Sequence, residues 1–387
     1  MDILTGYNSI SKIGRKYLQK AQYLFRRINN RIERRFNLWQ FNAIWKAYAS
    51  PRKWVRNWIL PLVQYIQRVG KLIYKEDELS VIVISGKAAP SQQPFKAAYI
   101  GKKRSLNYFT FSLFGNNPVE RQEIAKTSSK KSRRIAEKLA RSTDMVVFER
   151  NCLVNWKPGW GDWVEVPYQL RHIFKLTPED DWQSLEDRFR EQKRYIRKAQ
   201  KENFSITISR EKDDFDFFYD NMLVPLAERK YEDRARIAQH EYLAKLFPKG
   251  FITFVSTQDG QRIAGAFNIV DGDLYSGMVM GVLNGNEAWI QKGVVALLYQ
   301  SDIQYCYKNG LKRIDIGESV PFANNGLFRY KAMWGYRPQL DPWNYLNWLI
   351  WVPNRSQVAL HWIERHQFLP QFSKFSSNYI GHLATES

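Results

Sequence analysis

The sequence predicts a mixed α/β (α+β) fold in which a mostly antiparallel sheet is flanked by helices. Segments with strand and helix periodicity alternate from about residue 79 onward. The stretch 251–338 has the order strand, strand, strand, helix, strand, helix, strand. A third observation sets residues 1–75 apart from this core, because most of the net positive charge lies there.

The stretch 251–338 begins with two hairpin signals. Asp259-Gly260 and residues 271–273 separate three apolar runs, which is typical of antiparallel strands joined by short turns. Gly310 ends the helix that follows, because glycine tolerates the left-handed conformation beyond a helix end. The predicted elements are strands at 251–257, 262–270 and 274–282, a helix at 291–309, a strand at 311–317 and a helix at 327–334.

Upstream of residue 251 the signals are shorter. Small and polar residues at 85–98 predict a loop after the first strand, and three Trp among Gly and Pro predict another loop at 156–163. Thr177 is predicted to cap a helix that has Pro178 in its first turn. The predicted elements are a strand at 81–84, a helix at 131–141, a strand at 146–149 and helices at 178–201, 215–229 and 240–247.

Residues 1–75 form a basic extension. They hold 16 Lys or Arg and two acidic residues, in a chain whose net charge is +21. Apolar residues recur there at steps of three and four opposite a cationic face, which predicts amphipathic helices. A cationic face with Trp and Tyr at its border is typical of a helix lying on an anionic membrane surface. Packing on the protein's own core and binding to a nucleic-acid backbone are alternative interpretations.

Cysteine usage and hydropathy indicate the compartment. Cys152 and Cys306 are too few for a disulfide framework, and no Cys/His group has metal-ligand spacing, so we expect no metal. The N-terminal residues lack the pattern of a secretory signal. No apolar run approaches the roughly 20 residues that a membrane-spanning helix needs. We therefore expect a cytoplasmic protein, peripheral to the membrane if the extension lies on a bilayer.

Two stretches resemble motifs of FemAB-like enzymes in the GNAT superfamily of acyltransferases. Residues 194–201, RYIRKAQK, resemble the basic helix of that branch. Residues 310–317, GLKRIDIG, followed by 327–335, LFRYKAMWG, resemble its G-x-x-x-x-D-x-G and F-K-x-x-W-G ending. The resemblance covers about residues 165–340. It implies a GNAT-like core, in which the fourth and fifth strands splay apart and the acyl thioester enters the gap, and the strands upstream resemble a degenerate first copy.

The resemblance implies where the acyl donor binds. The strand at 274–282 lies at the splay, where unpaired backbone N–H groups can hold the thioester carbonyl and stabilise the oxyanion. The next helix presents its free N–H groups to a phosphate. The expected donor contacts are Val279, Met280, Gln291, Lys292, Gly293, Val294, Arg329 and Lys331.

The phosphate-binding turn departs from the family pattern. The usual Q/R-x-x-G-x-G/A falls on 290–295, where only Gly293 matches. The donor is therefore open among acyl-CoA, an acidic acyl carrier protein and aminoacyl-tRNA, all of which are polyanionic. Residues expected to contact an anionic donor or the acceptor are Arg194, Arg197, Lys198 and Tyr231.

An amine that attacks a thioester must lose a proton. Glu318 is the predicted base, because it lies at the carboxyl end of the strand that lines the cleft. Asp315 is the second catalytic candidate, with bracing of the loop as its alternative role. Tyr330 is predicted to protonate the leaving thiolate or ribose hydroxyl. A structural hydrogen bond is the alternative for each residue.

Four segments follow from these patterns: a basic amphipathic helical extension (1–75), a degenerate first GNAT-like unit (76–175), a GNAT-like acyltransferase unit (176–340) and an aromatic C-terminal helical tail (341–387). The main hypothesis is an N-acyltransferase that moves an acyl group, including a fatty one, from acyl-CoA or acyl carrier protein to an amine acceptor at the membrane surface. An aminoacyl-tRNA-dependent FemAB-type aminoacyl or peptidyl transferase is the first alternative. A catalytically inactive, membrane-associated GNAT-like binding module is the second. DNA binding is not expected.

Overall fold

Two mixed β-sheets, each flanked by helices, make up the part of the chain that the computed structural model describes. It describes residues 78–366 apart from 90, 129–130, 152–162, 232–236 and 342–345. This architecture confirms the predicted mixed α/β fold class. The predicted helices of the basic extension, 1–75, and most of the aromatic loop at 156–163 lie outside the described residues.

The first sheet has six strands in the order β3-β1-β2-β4-β13-β5. They are β1 (Leu79–Lys87), β2 (Pro94–Gly101), β3 (Val119–Thr127), β4 (Met145–Asn151), β5 (Trp163–Pro167) and β13 (Leu346–Trp351). Helices α1 (Lys103–Phe114) and α11 (Gln357–His366) pack on one face, and α2 (Ser132–Ala140) packs on the other. Both faces are therefore covered, which explains why β1, β2 and β4 are almost continuously apolar.

Strand β13 comes from the C-terminal segment and lies between β4 and β5, antiparallel to both. Trp348 and Ile350 face the core under α1 and α11, and Leu349 faces the core under α2. The tail, which the sequence analysis expects to be helical throughout, thus contains a strand before its helix. The apolar residues of β13 are buried on both faces of the sheet. In the sequence, such a short apolar run cannot be distinguished from a helical segment by its periodicity.

The first hairpin is longer than predicted. Residues 85–87 continue β1 and pair with 94–96, so the connection is 88–93 instead of a loop over 85–98. Gly86 suits this position because a Cβ there would lie 2.9 Å from the carbonyl oxygen of Pro118. Small residues here serve close packing and do not mark the end of the strand.

The second sheet has seven strands in the order β12-β6-β11-β10-β9-β8-β7. They are β6 (Leu170–Lys175), β7 (Ser205–Ser209), β8 (Gly250–Ser256), β9 (Arg262–Asp271), β10 (Leu274–Val282), β11 (Arg313–Ser319) and β12 (Arg337–Leu340). Strands β7 to β10 form an antiparallel meander, whereas β10 and β11 are parallel. This confirms the element order predicted for 251–338. The chain passes from the first sheet to the second between Pro167, the end of β5, and Leu170, the start of β6. The predicted domain limits stay a prediction.

Eight helices accompany the second sheet within the described ranges. They are α3 (Trp182–Arg188), α4 (Lys193–Gln200), α5 (Lys212–Phe218), α6 (Val224–Tyr231), α7 (His240–Leu246), α8 (Glu287–Gln291), α9 (Val294–Lys308) and α10 (Gly326–Met333). A π-helical turn, Tyr219–Leu223, joins α5 to α6. Side chains of α3, α4, α9 and α10 meet in one core against the sheet. No described helix is both long and apolar enough to cross a membrane.

Two predicted helices are interrupted. The one expected at 178–201 begins later, at α3, because Asp181 and not Thr177 caps it by accepting from the Ser184 N–H at 2.7 Å. A 3₁₀ turn, Arg190–Gln192, then separates α3 from α4. The helix expected at 291–309 is divided into α8 and α9 by Gly293. Its φ of 89° is left-handed and does not occur within a right-handed α-helix.

Candidate functional site

Strands β10 and β11 pair only at their first residues and then separate. The last of three parallel pairs joins Ser276 to Asp315, although β10 continues to Val282 and β11 to Ser319. On its other side β10 stays paired with β9 along its length, apart from a bulge between Gly277 and Val279. Beyond Ser276 the β11 side of β10 therefore has no strand partner. This opening is called the splay cleft below.

Close packing on both strands maintains the splay. The π-helical turn lies against β10, since a Cβ at Gly281 would be only 2.4 Å from the carbonyl carbon of Met222. Strand β11 shifts register against β6 between Asp315 and Glu318. Gly317 in that irregularity has a φ of 76° and donates its N–H to Asp315 Oδ1 at 2.8 Å. π turns and bulges of this kind often occur at functional sites.

Gly293 joins the N-terminus of α9 to helix α4. Its left-handed φ of 89° and a virtual Cβ only 2.6 Å from the Tyr195 carbonyl oxygen leave room for glycine alone. The 15-residue α9 begins immediately after it, so the first N–H groups of α9, which have no partner within the helix, and the positive end of the helix dipole lie at this turn. Lys292 beside it pairs with Glu202 at 2.7 Å, which offsets part of its charge.

Helix α4 brings an exposed cationic surface to the same turn. Ile196 and Ala199 are buried, while Arg194, Arg197 and Lys198 are exposed. Arg194 donates to the Tyr195 hydroxyl at 2.6 Å. Within the described part of the chain, none of these three cations has an ion pair, so their charge is available to a polyanion. They are called the α4 cations below.

A buried arginine gathers carboxylates on the β11 side of the cleft. Arg171 Nε donates to Asp315 Oδ2 at 2.7 Å, and its Nη1 lies 3.3 Å from Glu318 Oε1 and 3.7 Å from Asp341 Oδ1. The Asp315 side chain is fully buried, whereas that of Glu318 is 33% exposed. Of the two carboxylates that the sequence analysis places in catalysis, only Glu318 can therefore reach a substrate directly. Asp315 instead accepts hydrogen bonds from Arg171 and from the Gly317 N–H.

Lys331 lies beneath the cleft instead of at its surface. It is 4% exposed, and its Nζ donates to the carbonyl oxygens of Ile316 at 2.8 Å and Glu318 at 2.9 Å. Burial lowers the pKa of Lys331 to about 7, against the opposing effect of the Asp315 carboxylate. Helix α10 is thereby tied to the backbone of β11 at the point where it leaves β10.

Tyr330, the predicted proton donor, is largely buried with its ring edge-on to Tyr299 at 5.3 Å. Burial raises the pKa of Tyr330 to about 12. A thiol has a pKa of about 8.5, so a phenol of this kind transfers a proton to a thiolate unfavourably. The geometry therefore suits Tyr330 better to packing than to protonation of sulfur.

The other predicted contacts fall into three groups. Val279 and Met280 line the splay cleft, Gln291 and Arg329 are exposed, and Val294 is buried with only its backbone at the turn. The contacts of the Tyr231 side chain lie outside what the structure describes. Gly293 packs on α4, and Lys331 ties α10 to β11, while a role of the predicted residues in binding a donor stays a prediction.

Three residues near the cleft were missed by sequence reasoning: Arg171, Tyr242 and Asp302. Burial raises the pKa of Tyr242, and the charges of Arg171 and Glu318 also act on it. Asp302 lies within α9, among buried apolar residues. A charged residue within a strongly apolar segment was the available signal for Arg171 and for Asp302. Among the described residues, no His, Cys, Asp and Glu cluster is arranged to hold a metal ion.

The second sheet opens between two parallel strands, and α9 begins at the Gly293 turn that follows β10 in the chain. Residues 187–332 match the family of acetyltransferase (GNAT) domains. The chain therefore carries a GNAT-type acyltransferase domain, and the match covers β7 to β11 and α4 to α9. Comparison with curated protein sequences gives no match.

Several solved structures are similar at low identity. L-PGS from Bacillus licheniformis is 12% identical, with 73% of this chain and 84% of that chain covered and a TM-score of 0.30. FemX is 11% identical, with 77% and 93% covered and a TM-score of 0.37. A tandem GNAT protein from the clavulanic acid biosynthesis pathway is 10% identical, with 67% and 77% covered and a TM-score of 0.28. The assignment of the domain rests on the family match and on the geometry of the cleft.

Proposed function

We propose that the protein is an N-acyltransferase. It transfers an acyl group, including a fatty one, from an acyl thioester of CoA or of an acyl carrier protein to an amine acceptor at a membrane surface. The observation that carries this proposal is the splay cleft within the segment that matches the GNAT domain family.

The β10 wall suits the thioester carbonyl. Residues 277–280 have backbone groups without a strand partner on the β11 side, so N–H donors there are positioned before the reaction begins. Donors fixed in this way stabilise the negative charge that develops on the carbonyl oxygen during attack. Removal of one such donor typically costs about 10²-fold to 10³-fold in rate.

The α9 turn suits the donor's phosphates. The first N–H groups of α9 follow Gly293, and α4, the helix that carries the α4 cations, packs on this turn through the Tyr195 carbonyl group. Backbone donors and fixed cations together favour an anion. Since Lys292 is paired with Glu202, most of the uncompensated charge comes from α4.

The β11 wall suits the acceptor. Glu318 is partly exposed and held by Arg171, so it can accept the proton that the attacking amine loses, directly or through one water. Tyr242, whose pKa responds to the charges of Arg171 and Glu318, is a further candidate for contact with the acceptor. Asp315 acts through Arg171 and is a positioning residue.

A panel of acyl-CoA donors of increasing chain length, each with simple primary amines, tests the proposal. We expect thiol release that depends on the amine, and a loss of about 10²-fold in kcat for Glu318→Gln, which is typical for loss of a general base. Glu287→Gln, an exposed change in α8, is the matched control. If no donor releases thiol, the proposal fails.

The membrane surface in this proposal is supported by the sequence of residues 1–75 alone. Membrane binding can be measured by flotation of the full chain with vesicles of neutral lipid and with vesicles that contain phosphatidylglycerol. We expect flotation only with the anionic lipid and its loss at high salt. A variant with Arg52, Lys53 and Arg56 changed to Gln should float less. Absence of flotation with both kinds of vesicle would remove the membrane from the proposal, and equal flotation with both would remove the role of charge.

A second candidate function is an aminoacyl-tRNA-dependent transferase of the FemAB type. The α4 cations favour it, as does the mismatch with the phosphate-binding pattern at 290–295. It predicts tRNA binding that weakens steeply with salt, and a triple change of Arg194, Arg197 and Lys198 to Gln that reduces the log–log salt slope by about 2 to 3. An inactive binding module, in contrast, predicts that Glu318→Gln leaves every cellular phenotype unchanged.

A further inference from the structure

A buried carboxyl group lies below the splay cleft and has no role in the steps above. Asp302 is in the middle of α9 and 3% exposed. The Tyr275 hydroxyl donates to its Oδ1. Asp302 is therefore held by one hydrogen bond from β10, the strand that forms the wall of the cleft.

The second oxygen of Asp302 faces the cleft through the position of Gly277. A Cβ at Gly277 would lie 3.9 Å from Asp302 Oδ2, 3.8 Å from Asn268 Oδ1 and 3.6 Å from Ile316 Cγ2. Gly277 is partly exposed and directly follows the last residue of β10 that pairs with β11. The missing side chain thus leaves a gap that joins the buried carboxyl group to the cleft floor.

Two buried oxygens line this gap, each within 4 Å of the Gly277 Cβ position. Asn268 Oδ1 is buried and has no hydrogen-bond partner, although Asn268 Nδ2 donates to Thr253 and to the Ala266 carbonyl. An ionised carboxylate beside a buried amide oxygen is unfavourable, whereas a protonated one can donate. Burial raises the pKa of Asp302 from 3.8 to about 7, while the hydrogen bond from Tyr275 lowers it.

We propose that Asp302 is a catalytic acid that donates its Oδ2 proton, through the gap at Gly277, to the sulfur that leaves the acyl donor. The inference rests on the proposed thioester-dependent transfer. The amine nitrogen forms a bond to the carbonyl carbon, whose π electrons move to oxygen. The oxyanion then re-forms the carbonyl as the carbon–sulfur bond breaks with its electron pair on sulfur, which takes the Asp302 proton and leaves as a thiol. The proton lost by the amine passes to Glu318, which releases it to water, and water returns one proton to Asp302, so both groups regain their starting states.

This assignment replaces Tyr330 as the donor to sulfur. A group with a pKa near 7 gives its proton to a thiolate, whose conjugate acid has a pKa of about 8.5, favourably. Tyr330, with a pKa of about 12, does not.

The other titratable groups around Asp302 stay neutral. Tyr275 on β10, Cys306 one turn along α9 and Tyr336 before β12 all have pKa values raised well above their ordinary ones, chiefly by burial. Lys331, beneath β11, also has a pKa lowered to about 7, so loss of the alkaline decline of kcat in Asp302→Asn is the result that assigns this decline to Asp302. Tyr275→Phe removes a hydrogen bond that lowers the pKa of Asp302, so it should move this decline to higher pH.

The leaving group provides the sharpest test. Wild type and Asp302→Asn are compared with an acyl-CoA donor and with the same acyl group on 4-nitrothiophenol, whose thiolate leaves without a proton. We expect Asp302→Asn to lower kcat about 10²-fold with acyl-CoA, as for loss of a general acid, and less than about threefold with the aryl thioester. Ser301→Ala, the neighbouring position on α9, is the control and should affect neither donor. Equal losses with both donors would overturn the proposal.

Gly277→Ala tests the path without touching Asp302. The added methyl group meets nothing closer than 3.6 Å, so the variant should fold with an unchanged Tm, yet it fills the gap. We expect a loss of about tenfold or more in kcat with acyl-CoA and little loss with the aryl thioester. Full activity of Gly277→Ala, or an unmoved alkaline limb in Tyr275→Phe, contradicts the assignment. A wild-type protein that is inactive with every acyl-CoA overturns the proposed function, and this inference with it, whereas an active wild type with an equally active Asp302→Asn overturns the inference alone.

Discussion

Replacing Gly293 by Ala changes the turn where α4, α8 and α9 meet. The residue has a φ of 89°, and a Cβ there would lie 2.6 Å from the Tyr195 carbonyl oxygen and 3.2 Å from the Ala199 Cβ. The left-handed conformation costs a residue other than glycine about 1–2 kcal/mol. A contact of 2.6 Å to backbone cannot be relieved by a rotamer change, so α4 must move.

The magnitude follows from these two contributions. Overpacking in a well-packed core typically costs about 1–3 kcal/mol, which, added to the left-handed conformation, predicts a loss of about 2–5 kcal/mol in the free energy of unfolding. Since the movement separates the α4 cations from the N-terminus of α9, the KM for a phosphate-bearing donor should rise as well. Denaturant unfolding and steady-state kinetics with acyl-CoA measure the two effects.

Gly310→Ala is a matched control. Gly310 also has a left-handed φ, 64°, but a Cβ there meets nothing within 4 Å. It should therefore lose only the conformational part, about 1 kcal/mol, with no change in KM. The difference between the two variants isolates the contact with α4. If Gly293→Ala is no less stable than Gly310→Ala, the packing of α4 on this turn does not hold the site together.

Three further predictions concern buried groups. The folded-state pKa of Asp302, about 7, exceeds the ordinary 3.8, so the stability it contributes is fully present below about pH 3.8 and is lost as the pH rises toward 7. The free energy of unfolding should change by on the order of 4 kcal/mol across this pH window. Urea unfolding of wild type should show this pH dependence, and Asp302→Asn should lack it. Arg171→Met removes the guanidinium group that pairs with buried Asp315 and Asp341 and should cost about 3–5 kcal/mol. Asp315→Asn in the same chain should restore part of this loss, and additive effects of the two changes would contradict the pairing. Trp348→Ala removes a ring that packs on Phe109 at 4.4 Å and should lower the free energy of unfolding by about 3–5 kcal/mol, so an unchanged Tm would refute the placement of β13.

Local chemistry explains what the sequence could predict. The turns at Asp259-Gly260 and 271–273 and the apolar runs between them define β8, β9 and β10, because hairpin pairing depends only on neighbouring residues. Gly310 marks the end of α9 for the same local reason, and its φ of 64° agrees. Of the site, the splay strand β10, the turn at Gly293 and the base candidate Glu318 were identifiable from motif spacing.

Long-range pairing explains what the sequence could not predict. Asn347 pairs with Arg150 on β4 and with Pro167 on β5, both far away in the chain, and nothing local to β13 indicates that contact. Arg171 and Asp315, 144 residues apart, meet for the same reason. Asp302 was hidden differently, since its role depends on the absence of a side chain at Gly277 on another element.

The central claim is that the splay cleft holds an acyl thioester against β10 and the N-terminus of α9. Hydrogen–deuterium exchange of the full chain, with and without a non-cleavable ketone analogue of acyl-CoA, tests it most directly. We expect new protection at the backbone N–H groups of residues 277–282 and in the first turn of α9, with the β1–β2 hairpin unchanged. Protection confined to other segments, or none at a saturating concentration of the analogue, would contradict the claim.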